Sequence, residues 1–277
     1  MNNHVALITG STDGIGKQTA IDLATQGFQV IIHGRSKEKC EGALEEIHHQ
    51  TGSNLLSYVY ADLSSLSQVN KLAEKILNNY SQLDVLINNA GVYMKERILT
   101  EDGYETTFAV NHLAHFLLTN NLLELLKKSD DGRIINVSSI AHQNAHLDWN
   151  NLNGEKSFSP YGAYSLSKLA NVLFSNELAN RLKGTKVKSY SLHPGVITTK
   201  LLRAGFNMSG ASVKKGAETS VYLASSKEAA KLSGEYFIDC KIAKPHPITH
   251  DKETLKKFWK ISEETVSSHS IFIKKSE

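Results

Sequence analysis

A doubly wound α/β fold on a parallel sheet of seven strands is what this sequence predicts, and three observations predict it. Short apolar runs alternate with longer stretches whose apolar residues recur at helical spacing, from residue 5 to residue 266. Several of the runs are apolar on both faces, as strands are when helices cover a sheet from both sides. A glycine-rich loop, Gly10-Ser11-Thr12-Asp13-Gly14-Ile15-Gly16, lies between the first run and the first helical stretch. There glycines permit a tight turn, let backbone approach a pyrophosphate and aim helix N–H groups at it.

The elements follow in order. Residues 5–9 read as a buried strand, and 17–26 as a helix with Ala20, Ile21, Leu23 and Ala24 on its apolar stripe and Gly27 as its stop. A second strand spans 28–32, a charged helix 36–50 and a third strand 55–60, which runs into Asp62 and Leu63. A helix over 64–80 carries Leu66, Val69, Leu72, Ala73, Ile76 and Leu77 on one face. The fourth strand, 83–87, ends in Asn88-Asn89-Ala90-Gly91, a turn at the edge where such sheets present ligand contacts. After a loop over 93–102, a long apolar helix spans 104–128 with Asn111 inside it, as a tolerated polar residue, a kink or a functional carbonyl. The fifth strand, 133–139, ends in two serines, and 141–160 is polar and irregular. A helix over 161–182 and a strand over 187–192 follow, with His193-Pro194-Gly195 as a break. Residues 196–212 read as a lid loop with apolar points at Leu201, Leu202, Phe206 and Met208. A helix over 214–225, a seventh strand over 235–238 and a helix over 252–266 complete one domain spanning 1–277, with 267–277 as a flexible tail.

Composition narrows the function classes. With 40% hydrophobic and 21% charged residues and a net charge of +3, the chain is ordinary globular protein. Its basic residues are scattered, so no nucleic-acid footprint is read. Two cysteines without metal spacing fit a reducing, cytoplasmic setting. No apolar stretch approaches the roughly 20 residues of a membrane span, and neither a leader nor a membrane anchor is read ahead of residue 5. His112/His115 and His142/His146 have helical spacing, but H-E-x-x-H is missing, so no metal site is expected. Ser165-Leu166-Ser167-Lys168 fits S-x-x-K without the S-D-N and K-T-G partners an acyl-serine enzyme needs.

Two features carry chemistry. Tyr164 and Lys168 are four apart, one turn from each other on a helix face. A phenol titrates near 10, and a nearby ammonium favours phenolate, so the pair is an acid/base device for interconverting an alcohol and a carbonyl. Gly10, Ser11, Ile15 and Gly16 frame a dinucleotide site. At the end of the second strand, where an NAD site places an acid, stand Gly34, with no side chain, and Arg35, whose guanidinium suits a 2′-phosphate. That favours NADP(H) over NAD(H).

These motifs, in order and over nearly the whole chain, resemble those of the short-chain dehydrogenase/reductase family: residues 9–16, Asp62-Leu63, Asn88-Asn89-Ala90-Gly91, Asn111, Ser139, Tyr164 with Lys168, and Pro194-Gly195. Residues 151–158 and 164–174 are similar to the retinol dehydrogenase and WW-domain-oxidoreductase-like branch. The absence of an anchor-like stretch speaks against a retinoid as the specific substrate. The resemblance implies that Tyr164 gives a proton to the carbonyl oxygen as hydride leaves the nicotinamide. Lys168 then holds the nicotinamide ribose and lowers the Tyr164 pKa, and Ser139 hydrogen-bonds the substrate oxygen. Asn111 anchors a water through its carbonyl. Asp62 and Leu63 lie at the adenine, Asn89 on the adenosine side, and Thr199 at the carboxamide. The implied activity is carbonyl reduction or alcohol oxidation on a lipophilic small molecule. A catalytically idle cofactor sensor on the same fold is the alternative. The resemblance further implies a homo-dimer or homo-tetramer through the long helices, although Phe116, Leu117, Leu118, Leu122 and Leu123 could equally be buried within one subunit.

Overall fold

A computed structural model describes residues 4–270. Seven strands form the expected parallel sheet: β1 (Val5–Ile8), β2 (Gln29–Gly34), β3 (Leu56–Tyr60), β4 (Val85–Asn88), β5 (Arg133–Val137), β6 (Lys188–His193) and β7 (Glu235–Ile238). An eighth, β8 (Lys241–Ile242), pairs antiparallel with β7. The order is β3-β2-β1-β4-β5-β6-β7-β8. The sequence reading missed β8 because its turn, Asp239-Cys240, contains no glycine. Both residues nevertheless take positive φ, 48° and 60°, as two-residue hairpin turns require.

Helices cover both faces. On one side α1 (Gly14–Thr25), α2 (Lys37–Thr51) and α8 (Val213–Ser225) pack on Ala6, Ile8, Val30, Ile32, Ile87 and Leu192. On the other, α3 (Leu66–Asn79), α5 (Ala114–Leu126), α6 (Pro160–Arg181) and α9 (Lys252–Val266) pack on Leu7, Ile31, Leu86 and Ile134. Alternate residues of one strand thus serve opposite cores, which is why the runs are apolar throughout. Phe116, Leu117, Leu118 and Leu122 are buried within this single chain.

Three further stretches differ from expectation. The helix expected over 104–128 starts later, as α4 (Thr106–Phe108), where Glu105 caps the N–H groups of Thr107 and Phe108. It then widens into a π turn, Ala109–Leu113, centred on Asn111, before α5 resumes. The 196–212 stretch holds a short helix, α7 (Lys200–Phe206), capped by Thr199 and closed by Asn207 at φ 49°. Of the tail expected over 267–277, Ser267–His269 form a 3-10 turn and Ser270 is buried; 271–277, like the first three residues, lie outside the described residues.

Candidate active site

The strand order reverses between β1 and β4, opening a crevice at their C-terminal ends. The glycine loop enters it from β1 and Asn89-Ala90-Gly91 from β4. Gly10 adopts φ +64°, and a Cβ there would stand 2.9 Å from the Ala90 Cα. A Cβ on Gly16 would stand 2.4 Å from both the Asn89 Nδ2 and the Gly10 carbonyl oxygen. The approach is close because the Asn89 amide donates to the carbonyls of Thr9, at 2.8 Å, and Gly10, at 3.3 Å. The Thr9 hydroxyl accepts the N–H groups of Asn89 and Ala90 at 2.9 and 3.0 Å. Asn89 therefore braces the loop with the group expected to face a ligand. Ser11 is turned inward too. Its hydroxyl donates to the Ile8 carbonyl and accepts the His33 N–H, so its side chain is part of the loop's frame.

His33 completes this frame. Its Nδ1 accepts the Gly10 N–H at 3.1 Å and its Nε2 lies 3.2 Å from the Ala61 carbonyl. Both contacts suit the neutral ring with its proton on Nε2, and burial pushes its pKa down to about 4. Asp13 caps α1 by accepting the Gly14 N–H at 2.8 Å and pairs with Lys200 at 2.6 Å. The Lys200 hydrogen bond holds its carboxyl below the usual range. Ile15, half-buried, opens α1 beside them.

At the end of β2, a Cβ on Gly34 would stand 2.5 Å from the Thr12 Cγ2 and 3.0 Å from the Cys40 Sγ. No acidic side chain fits there without displacing both. Arg35 is exposed and has no ion-pair partner among the described residues. Asp62 Oδ1 accepts the Ser64 N–H and hydroxyl, and the adjacent Leu63 is buried.

The second half of the site faces this crevice. Ser159 caps α6 and Pro160 opens it, which places Tyr164 and Lys168 one turn apart; they are 7% and 3% exposed. The Lys168 ammonium lies 5.6 Å from the Tyr164 ring centroid and donates to the Val137 carbonyl at 3.0 Å. Ser139, just beyond β5, accepts the Ala141 N–H at 3.2 Å and lies close enough to the Tyr164 hydroxyl to oppose the rise in its pKa. Ser138 points inward to the Lys168 carbonyl. Asn111 Oδ1 accepts the Val92 N–H at 2.8 Å, and its Nδ2 donates to the Val92 carbonyl and to Ser167 Oγ. Its carbonyl faces the His115 Nδ1 at 3.0 Å. A Cβ on Gly91 would sit 3.5 Å from both Asn111 Oδ1 and Lys168 Nζ, so the four expected residues surround one space.

The electrostatics correct one expectation. Burial pushes the Tyr164 phenol up to about 12, against the opposing Ser139 hydrogen bond. Burial likewise pulls Lys168 down to about 8. In the protein alone, desolvation dominates the Tyr164 pKa and the Lys168 ammonium contributes no lowering to it.

The sequence model of the short chain dehydrogenase family matches residues 4–210. The chain belongs to that family. It is 41% identical to human retinol dehydrogenase 13, covering 91% of this chain and 81% of the relative. It is 42% identical to human retinol dehydrogenase 12, covering 93% and 84%. Among solved structures, an uncharacterized protein from Mycobacterium paratuberculosis superposes with a TM-score of 0.80 at 31% identity, covering 95% and 93% of the two chains. A short chain dehydrogenase from Escherichia coli CFT073, complexed with NADPH, superposes with a TM-score of 0.70 at 27% identity, covering 87% and 98%.

As a short chain dehydrogenase the protein is an oxidoreductase of the alcohol/carbonyl class that uses a nicotinamide cofactor. The site fits such a group: Lys168 Nζ has three N–H bonds and one hydrogen-bond partner, leaving donors for ribose hydroxyls. Among the described residues no three histidine, cysteine, aspartate or glutamate side chains gather as metal ligands, and no helix is long and apolar enough to cross a membrane. Thr199 lies beside the glycine loop with its hydroxyl engaged in capping α7. Sequence reasoning missed His33 and His115, whose partners are distant in the chain, and Tyr93, whose ring meets Tyr164 at 5.5 Å and Phe206 at 4.9 Å.

Proposed function

We propose that this dehydrogenase is NADP(H)-dependent and interconverts a carbonyl and an alcohol on a lipophilic small molecule, with Tyr164 as the acid/base. The observation that carries this reading is the buried Tyr164 one helical turn from Lys168, whose ammonium lies 5.6 Å from its ring and faces Gly91 and Asn111 at the edge of the dinucleotide crevice. Bound NADPH supplies the hydride. Tyr164, protonated across the working range because its pKa lies near 12, gives its proton to the carbonyl oxygen. Ser139 hydrogen-bonds that oxygen where negative charge develops. Lys168 holds the ribose and, while protonated, stabilises the phenolate left behind. The carbonyl of Asn111 supports Lys168 from the π turn.

The packed Gly34 and exposed Arg35 support NADP(H) over NAD(H), since a 2′-phosphate meets a guanidinium and no carboxylate. Residues 196–212 act as the lid. The Phe206 ring centroid lies 5.8 Å from that of Tyr164 and 6.2 Å from that of Tyr161, so aromatic rings gather beside the reacting side chain, and a substrate entering there meets Tyr93, Tyr161 and Phe206. This supports a lipophilic substrate, and retinoids belong in the test panel because the relatives are named for retinol. The free thiols of Cys40 and Cys240 fit a cytoplasmic setting.

The test follows NADPH oxidation with aldehydes, ketones, quinones, steroids and retinal. Turnover that Tyr164→Phe abolishes while NADPH still binds is the expected result. Binding without turnover across the panel overturns the enzymatic reading in favour of a sensor. Equal affinity for NADH and NADPH overturns the cofactor assignment, and Arg35→Ala is expected to weaken NADPH about tenfold with little effect on NADH.

A further inference from the structure

One buried imidazole, His115, bridges the two halves of the site, and none of the roles above uses it. It is fully buried, one turn after Asn111, against the end of β1. Its Nδ1 stands 3.0 Å from the Asn111 carbonyl and its Nε2 3.1 Å from the Thr9 hydroxyl. The chemistry of the partners fixes its state. A carbonyl only accepts, so Nδ1 carries the proton. The bare Nε2 then accepts from Thr9, whose hydroxyl lies nearer to it than to the Ile87 carbonyl at 3.4 Å. Burial, aided by the Lys168 charge, drives its pKa down to about 3, so the ring stays neutral in any working buffer.

Both ends of this bridge matter. Thr9 immediately precedes Gly10, and its hydroxyl gathers the N–H groups of Asn89 and Ala90, so it sets the floor of the dinucleotide crevice. Asn111, at the other end, lies in the π turn. Its side chain holds Val92 and the Ser167 hydroxyl, and Ser167 in turn donates to the Tyr164 carbonyl at 2.7 Å. One lone pair of the Asn111 carbonyl, the group expected to anchor a water, is thus taken by protein.

We propose that His115 is a positioning residue: a neutral imidazole strut that couples seating of the dinucleotide on the glycine loop to placement of Asn111, and through Ser167 to the Tyr164/Lys168 helix. The proposal rests on the oxidoreductase reading for its rate effects and on nicotinamide binding alone for its affinity effects. Its two hydrogen bonds can be separated. Asn at 115 keeps a donor near the Nδ1 position, toward Asn111; Gln keeps an acceptor near the Nε2 position, toward Thr9; Phe keeps neither.

The experiment measures NADPH Kd by fluorescence, kcat with a turned-over carbonyl and Tm for the full chain and for His115→Asn, His115→Gln and His115→Phe. His115→Asn is expected to keep kcat within about threefold while Kd weakens about tenfold, and His115→Gln the reverse; His115→Phe loses both. Kd and kcat moving together in proportion to Tm in all three variants, or a Phe variant with both unchanged, overturns the strut. Should the unaltered protein bind NADPH without turnover, the enzymatic reading fails and Kd alone decides. A Gln variant that binds normally beside a Phe variant tenfold weaker supports the strut, and equal affinities overturn it.

Discussion

The crevice floor and the 196–212 stretch proposed as a lid are built by opposite rules. In the floor, Thr9, Ser11, His33, Asn89 and Asn111 have their side-chain groups committed to backbone or to one another, and most are fully buried. In the lid, α7 has no buried residue. It is held by Phe206 against Tyr93 and Tyr164, by the exposed Lys200–Asp13 pair, and by hydrogen bonds of Thr198 and Ala211. The contrast separates two demands. Hydride and proton transfer need groups placed before substrate arrives, whereas admission of substrate needs a segment that opens cheaply.

Acid should break the floor first, with the largest effect. The folded-state values of His33, near 4, and of His115, near 3, lie below the ordinary 6.5. The unfolded chain therefore binds more protons between those values, and stability falls as pH drops from about 6.5 toward 3 to 4. At about 1.4 kcal/mol per unit per group, the loss is on the order of several kcal/mol, and denaturant midpoints at stepped pH measure it. Above pH 6.5 these residues contribute no slope.

Gly16→Ala comes next. Its Cβ meets the Gly10 backbone, which cannot yield without disturbing the brace, so about 2–3 kcal/mol of stability and measurable NADPH binding should both be lost. Thermal melts and fluorescence titration read the two. Phe206→Ala, on the lid, should cost less than about 1.5 kcal/mol yet change the KM for large apolar carbonyls about tenfold; an unchanged KM would separate the ring from the substrate path. The smallest effect belongs to Lys200→Ala, an exposed pair worth at most about 0.5 kcal/mol, for which a shift in substrate off-rate without a shift in Tm is expected. A second pH experiment sharpens the chemistry: the rate of reduction should fall as pH rises through about 8, where Lys168 loses its proton and stops stabilising the phenolate.

The contrast also marks what the sequence made legible. The seven parallel strands and their helices could be read because burial on both faces of a strand and one face of a helix leaves periodic traces. Gly10, Gly16, Tyr164 and Lys168 could be singled out because each stands at fixed spacing within one strand-loop-helix unit or one helical turn. Asn111 was ambiguous: an internal asparagine signals a helix disturbance without saying that the backbone widens into a π turn there. α7 was hidden because seven residues are too short to show a period, and β8 because two residues after a turn without glycine leave neither a period nor a turn signal. His33 and His115 were hidden because an imidazole joining Gly10 to Ala61, or Thr9 to Asn111, looks, along the chain, like any other histidine.

Gly34 has a consequence for any change of coenzyme. Because Thr12 and Cys40 already fill the volume beside it, an aspartate introduced there first would meet a clash before it could reach a ribose. Trimming Thr12 to a smaller side chain must come earlier, so the shortest route between the two dinucleotide preferences runs through a particular order of substitutions, and Gly34→Asp alone should yield a protein that binds neither well.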